Sequence, residues 1–83
     1  MRLSGKKVLV TGGGTGVGAD LALGFANEGA QVVICGRRPA PLHATEEKHP
    51  HIHSALCDIT VEQEVMDLFK TNGPFDIVIA NAG

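Results

Sequence analysis

A glycine-rich segment, Thr11–Gly18, directly follows the apolar run Val8–Val10. Glycines let the backbone turn sharply, and they place no Cβ between the backbone and an approaching anion. A helix that begins after such a turn directs its unpaired N–H groups and its positive dipole end at the anion. The segment therefore predicts a pyrophosphate-binding loop, with the N–H groups of residues 13–17 around the anion. The hydroxyls of Thr11 and Thr15 either brace this turn or reach a phosphate oxygen.

The spacing of the glycines distinguishes between kinds of phosphate-binding loop. A P-loop requires Gly-Lys-Ser or Gly-Lys-Thr, which this chain lacks. The Rossmann pattern Gly-x-Gly-x-x-Gly/Ala fits only Gly14, Gly16 and Ala19, too far past the strand for its tight turn. The pattern Thr-Gly-x-x-x-Gly-x-Gly, which begins at Thr11, starts the turn where the strand ends. In this pattern the chain resembles the single-domain members of the short-chain dehydrogenase/reductase family. The resemblance implies cofactor contacts from Thr11, Gly12, Gly13, Gly14, Thr15, Gly16, Val17 and Gly18.

Short apolar runs alternate with amphipathic stretches along the whole chain, which is typical of a parallel sheet covered on both faces. We predict the order β-α-β-α-β-α-β, a Rossmann-type doubly wound α/β fold. Right-handed crossovers then give the strand order 3-2-1-4. The predicted strands are Lys7–Val10, Gln31–Cys35, Ile52–Cys57 and Ile77–Ala80, and the predicted helices cover about Thr15–Asn27, Leu42–Lys48 and a stretch that begins near Thr60.

The first helix has an apolar residue at every fourth position, namely Val17, Leu21 and Phe25. This spacing predicts a stripe that faces the sheet, and the small residues Gly18 and Ala22 should allow a close approach to it. Gly29 is placed to end the helix in the left-handed conformation.

The third helix has the sequence of a capping box, with Thr60 as the cap and Gln63 three residues later. We expect its apolar residues to face the core; they are Val61, Val65, Leu68 and Phe69.

The residues after the second strand indicate which dinucleotide the chain binds. An NAD site places a carboxylate there, which accepts hydrogen bonds from the adenosine ribose 2′-hydroxyl. Gly36 stands at that position, and the guanidinium groups of Arg37 and Arg38, which follow, match a 2′-phosphate. This pattern resembles the NADP-preferring members of the family, so we expect NADP(H) rather than NAD(H).

Two other segments match the family at strand ends. The resemblance implies that Asp58 accepts a hydrogen bond from the adenine amino group and that Ile59 packs near the ring. The Asp58 carboxylate would also favour the start of the third helix. The turn Asn81-Ala82-Gly83 resembles the family's Asn-Ala-Gly turn. This likeness implies that small residues leave room for a cofactor ribose and that Asn81 bridges adjacent strands.

The resemblance implies hydride transfer between an alcohol and a carbonyl, with a catalytic Tyr, a Lys four residues later and a Ser. The chain has no tyrosine, and its lysines and serines lie in no matching motif. We therefore expect residues 1–83 to be an NADP(H)-binding Rossmann half-domain without catalytic residues. The catalytic half, the substrate pocket and the contacts of a homo-oligomer are expected beyond Gly83. A non-catalytic dinucleotide-binding or regulatory module is the alternative.

Composition and charge exclude several other classes of protein. A formal net charge of −2 does not suit a nucleic-acid binder, and no apolar stretch reaches the length of a membrane span or signal peptide. We therefore expect a cytoplasmic protein.

The four histidines do not show the spacing of a metal site, so no metal is expected. Cys35 and Cys57 fit buried thiols near strand ends, and the sequence leaves a redox role open.

Overall fold

The computed structural model describes residues 3–14 and 16–81. Four parallel strands form one sheet in the order β3-β2-β1-β4, which confirms the predicted doubly wound α/β fold. Along the chain the elements are β1 (Lys7–Thr11), α1 (Gly16–Asn27), β2 (Gln31–Gly36), α2 (Pro39–Glu46), β3 (Ile52–Leu56), α3 (Glu62–Asn72) and β4 (Ile77–Ile79).

The sheet has an apolar cluster on each face because successive strand residues point to opposite sides. Val8, Val10 and Ile34 pack with α1 and α2 on one face. Leu9 and Val33 pack with α3 on the other. The two central strands, β1 and β2, are buried along nearly their whole length and therefore anchor the loops at their carboxyl ends.

Small residues bring α1 against the sheet, as predicted for Gly18 and Ala22, and Phe25 of the predicted stripe is partly buried against the core. The buried positions of α1 are Gly18, Ala19, Ala22 and Ala26. The prediction for Val17 is wrong, since its side chain is 65% exposed. Val17 lies in the first turn of α1, near the edge of the sheet where β1 ends, so the strands offer it little surface to pack on. Gly29 ends the helix with φ of 98°, as predicted.

The start of α3 differs from the predicted capping box. Val61 is the residue at the cap position, and no side chain caps the helix there. Thr60 instead turns back, and its backbone N and Oγ1 donate to Asp58 Oδ1 at 2.9 and 2.6 Å. Gln63 Nε2 donates to Asp67 Oδ1 at 2.9 Å, one turn further along the helix.

The buried face of α3 is narrower than predicted. Leu68 is buried and Val65 partly buried in the cluster under the sheet. Val61 and Phe69 are exposed, against expectation. Phe69 packs edge-on against Phe75 with 5.2 Å between ring centroids, so its contact is with the loop before β4.

Pro39 begins α2, three residues earlier than predicted. Proline suits the first helical position because its φ is already helical and its missing N–H would have no partner there. In the described part of the chain, no helix is both long and apolar enough to cross a membrane.

The two ends of β3 provide a test of the core assignment. Ile52 is 2% exposed and Leu56 is 63% exposed. Ile52→Ala should lower the free energy of unfolding by about 2–5 kcal/mol, because it leaves a cavity. Leu56→Ala, the matched control, should change it by less than about 0.5 kcal/mol. Urea unfolding measures both values, and equal losses would contradict this packing of β3.

Candidate functional site

The carboxyl ends of β1, β2 and β3 surround a cleft of about 550 Å³. Ligands of open α/β sheets bind at this edge, where the loops after the strands converge. The lining comes from four segments, namely the glycine loop at Gly12 and Gly14, residues 35–38 after β2, residues 57–60 after β3, and Pro41 with Leu42 of α2.

Contacts behind the glycine loop leave no room for side chains at three positions. A Cβ on Gly13 would lie 2.5 Å from the Ile34 Cβ, and one on Gly14 would lie 2.9 Å from the Pro41 Cβ. A Cβ on Gly18 would overlap the Gly12 carbonyl oxygen. The loop is therefore packed between β2, α2 and the first turn of α1.

Gly16 and Val17 begin α1 on the open side of this loop. Gly16 has φ of 56°, and a Cβ there would meet no atom within 4 Å. Val17 is exposed beside it. The first turn of α1 is thus accessible to a ligand, and helix N–H groups at such a position favour an anion. Thr15, between the loop and the helix, lies outside the described residues.

Thr11 and Asn81 join the ends of β1 and β4. Thr11 Oγ1 accepts a hydrogen bond from the Asn81 backbone N at 2.9 Å and donates to the Ile79 carbonyl at 3.4 Å. Asn81 Nδ2 donates to the Gly12 carbonyl at 3.4 Å. Thr11 therefore braces the turn, and Asn81 links neighbouring strands. Ala82 and Gly83 lie outside the described residues.

Two exposed arginines, Arg37 and Arg38, line the cleft beyond the end of β2. Gly36, which precedes them, has no side chain and packs against Leu42 of α2. The end of β2 therefore presents no carboxylate to the cleft. Positive side chains lie directly beyond it.

Asp58 contributes a carboxylate to the lining of the cleft beyond the end of β3, next to the exposed side chain of Ile59. The hydrogen bonds from the Thr60 hydroxyl and backbone N, together with the positive charge of Arg37, lower the pKa of Asp58. Asp58 is thus a carboxylate at neutral pH. Both Thr60 bonds go to Oδ1, and among the described residues no donor is bonded to Oδ2. Oδ2 can accept a hydrogen bond from a ligand.

The cysteines form part of the floor of the cleft. Cys35 and Cys57 are buried free thiols in the same apolar cluster. Burial raises the pKa of Cys35 to about 11, and the nearby Cys57 adds to this shift. The pKa of Cys57 is raised as well, first by burial and then by the charge of Glu64. The thiols lie together, but both are protonated at neutral pH, which makes them poor nucleophiles.

No histidine is among the described residues that line the cleft. His49 and His51 are in the loop before β3, at the opposite edge of the sheet, with 5.0 Å between ring centroids. His53 is hydrogen-bonded to Gln31 at 3.2 Å. Within residues 3–14 and 16–81, His, Cys, Asp and Glu side chains form no group of three that could hold a metal ion.

Residues 6–83 match the family model described as short chain dehydrogenase. The chain belongs to this family. It is 42% identical over 86 residues to an L-fucose dehydrogenase from Bos taurus, in an alignment that covers 99% of this chain and 32% of that protein. It is 43% identical over 91 residues to a glucose 1-dehydrogenase from Gluconobacter oxydans (strain 621H), with 99% and 34% covered.

Solved structures of short-chain dehydrogenases have the same fold. A hydroxysteroid dehydrogenase from Escherichia coli superposes with a TM-score of 0.89 at 33% identity, over 99% of this chain and 38% of that one. A short chain dehydrogenase/reductase family protein superposes with a TM-score of 0.94 at 34% identity, over 100% of this chain and 36% of that one. The chain thus spans about a third of the length of the relatives it matches.

Pro41, Leu42 and Thr60 line the cleft and were not predicted to do so, and neither were Cys35 and Cys57, which were predicted only as buried thiols. For the first two, proline at position 39 was an available signal, since it favours a helix start there. For Thr60, the signal was its position two residues after Asp58, where Asx-turns form.

Two glycines of α1 provide a matched pair for testing the loop contact. Gly18→Ala should lower the free energy of unfolding by about 1–3 kcal/mol, because the new methyl would overlap the Gly12 carbonyl. Gly24→Ala adds the same methyl where no atom lies within 4 Å, and should raise stability by about 0.4–1 kcal/mol. Thermal unfolding separates the two. A neutral or stabilising effect at Gly18 would rule out the close contact.

The buried thiols lead to a prediction of pH-dependent reactivity. Alkylation by iodoacetamide requires the thiolate, and a raised pKa lowers the thiolate fraction at neutral pH. The native protein should react slowly at pH 7.5, and its rate should continue to rise above pH 9.0, the ordinary pKa of a thiol. Urea-unfolded protein is the control and should react faster at pH 7.5. Equal rates would contradict the burial of the pair.

Proposed function

We propose that the chain forms the NADP(H)-binding part of an oxidoreductase that interconverts an alcohol and a carbonyl compound. The observation that carries this proposal is the position of Arg37 and Arg38 on a cleft at the carboxyl edge of the sheet, which Asp58 also lines. The relatives that cover the chain are named as dehydrogenases of fucose and glucose, which supports the class of reaction.

Each segment around the cleft would bind a different part of the dinucleotide. The N–H groups at the glycine loop and the start of α1 would bind the pyrophosphate. Asp58 Oδ2 would accept a hydrogen bond from the adenine amino group, and Ile59 offers the ring an exposed apolar surface. The small turn that begins at Asn81 follows β4, the strand on the other side of β1. The nicotinamide half would extend in that direction.

Charge explains the proposed preference for NADP(H). A 2′-phosphate carries close to two negative charges, and the forked donors of Arg37 and Arg38 match its oxygens. NAD(H) has a hydroxyl at this position, for which the end of β2 provides no carboxylate. Since Gly36 has no side chain, NAD(H) would lack its usual hydrogen-bond acceptor, whereas NADP(H) would gain two cations.

Hydride transfer would need groups that these 83 residues lack. The cofactor supplies or accepts the hydride, and the family's proton donor is a tyrosine, which the chain does not contain. We propose that catalytic residues are supplied from outside residues 1–83. The lack of tyrosine also favours one alternative, a dinucleotide-binding module without catalysis. NADPH consumption by the full-length protein with sugar and ketone substrates distinguishes the two.

The arginines provide the direct test of cofactor preference. In the full-length protein, Arg37→Ala and Arg38→Ala should each weaken NADP⁺ binding, because a charge-assisted hydrogen bond contributes about 1.5–3 kcal/mol. That loss corresponds to about tenfold or more in Kd. NAD⁺ affinity should change little. Calorimetry measures each Kd.

Lys70→Ala is the matched control for the arginine variants. Lys70 is an exposed cation in the last turn of α3 and does not line the cleft. Its removal changes the net charge equally, so NADP⁺ affinity should be unchanged at moderate salt. Equal affinity of the unsubstituted protein for NADP⁺ and NAD⁺ would refute the proposed preference.

A further inference from the structure

Thr45 is a buried polar residue on α2, directly behind the glycine loop. Its side chain is 1% exposed. Its Oγ1 lies 3.2 Å from the Gly14 carbonyl oxygen and 3.3 Å from the Pro41 carbonyl oxygen. A single hydroxyl proton therefore has two acceptors, one on its own helix and one on the loop.

The contact with Pro41 is ordinary, and the contact with Gly14 is not. Threonines within helices commonly donate to the carbonyl four residues earlier, which satisfies the hydroxyl locally. Gly14 lies 31 residues away along the chain and belongs to the glycine loop. The backbones are close as well, since a Cβ on Gly14 would lie 3.3 Å from the Leu42 backbone N. Thr45 thus connects α2 to the glycine loop, two segments that are about thirty residues apart in the sequence.

The neighbouring residue anchors α2 on its other side. Glu46 Oε2 accepts from the Ser54 backbone N at 2.8 Å, and Oε1 accepts from Ser54 Oγ at 3.1 Å. These bonds fix the end of α2 on β3, within the sheet. Because α2 is held on the sheet by Glu46 and by the buried Leu42, it offers Thr45 a fixed point from which to hold the loop.

We propose that the Thr45 hydroxyl is a positioning group for the dinucleotide, because it holds the Gly14 carbonyl and so fixes the loop that receives the pyrophosphate. The inference rests on the proposed function and adds a residue that does not contact the cofactor. A peptide plane whose carbonyl is hydrogen-bonded to a rigid helix is restrained from rotating. A loop ordered before binding loses less conformational freedom when the ligand arrives. Thr45 should therefore affect affinity for pyrophosphate and leave the adenosine 2′-phosphate site unchanged.

The test compares Thr45→Val with Thr45→Ser in the full-length protein. Valine keeps the shape of threonine and removes the donor, whereas serine keeps the donor and removes a methyl. Thr45→Val should weaken NADP⁺ binding about fivefold, the value of one neutral hydrogen bond of about 1 kcal/mol. Affinity for adenosine 2′-monophosphate, which has no pyrophosphate, should not change. Thr45→Ser should retain the affinity of the unsubstituted protein for both ligands.

Several outcomes would overturn this inference. If Thr45→Val loses affinity equally for NADP⁺ and adenosine 2′-monophosphate, Thr45 has a general structural role. If Thr45→Val loses no affinity for NADP⁺, Thr45 has no role in positioning. A loss in Thr45→Ser as large as in Thr45→Val would assign the effect to the methyl group. If Thr45→Val does not fold, Thr45→Ala replaces it, since alanine and serine differ only in the hydroxyl. An unsubstituted protein that binds neither NADP⁺ nor NAD⁺ would refute the proposed function itself.

Discussion

The contact between α1 and the turn after β1 constrains the whole carboxyl edge of the sheet. At Gly18 the helix lies so close to the Gly12 carbonyl that no side chain fits. This closeness sets the direction in which α1 leaves the loop, and Asn81 adds a hydrogen bond from β4 to the same carbonyl. The Gly12 carbonyl, which belongs to the loop, therefore contacts α1 at Gly18 and is hydrogen-bonded to Asn81 beyond the end of β4.

The cleft combines a rigid floor with an exposed rim. The ends of β1 and β2 and the two protonated thiols form the floor, which has no formal charge at neutral pH. Charged groups lie at the rim, where the hydrogen bonds from Thr60, and to a smaller extent the charge of Arg37, lower the pKa of Asp58. The cleft therefore has an uncharged floor and charged side chains of both signs at its rim.

The sequence predicted the strands and their order because short apolar runs in a parallel sheet leave few alternatives. The predictions from the sequence were wrong where the burial or contacts of a side chain depend on its position in the tertiary structure. Val17 continues the helical period of Leu21 but lies beyond the strand ends, so periodicity alone placed it wrongly. The expected capping box failed because Thr60 had a nearer acceptor in Asp58.

The residues in and behind the cleft likewise differ in whether the sequence alone predicts their position. Positions at strand ends, such as Arg37 and Asp58, could be predicted because parallel strands bring their carboxyl ends together. The contact of Thr45 with the glycine loop behind the cleft could not, because it depends on the approach of α2 to a segment about thirty residues earlier. That approach depends on packing, for which the chain provides no local signal.

The first turn of α2 has a chemical consequence for recognition. Pro39 and Pro41 are two of the first three residues of this helix, and proline has no N–H. The amino end of α2 is therefore a poor anion receptor, although it borders the cleft. Anion recognition at this corner must depend on side chains rather than on backbone, and side chains can be exchanged without altering the fold. Single substitutions of the exposed side chains at the end of β2 would therefore change the charge that faces the cleft and leave the fold unchanged.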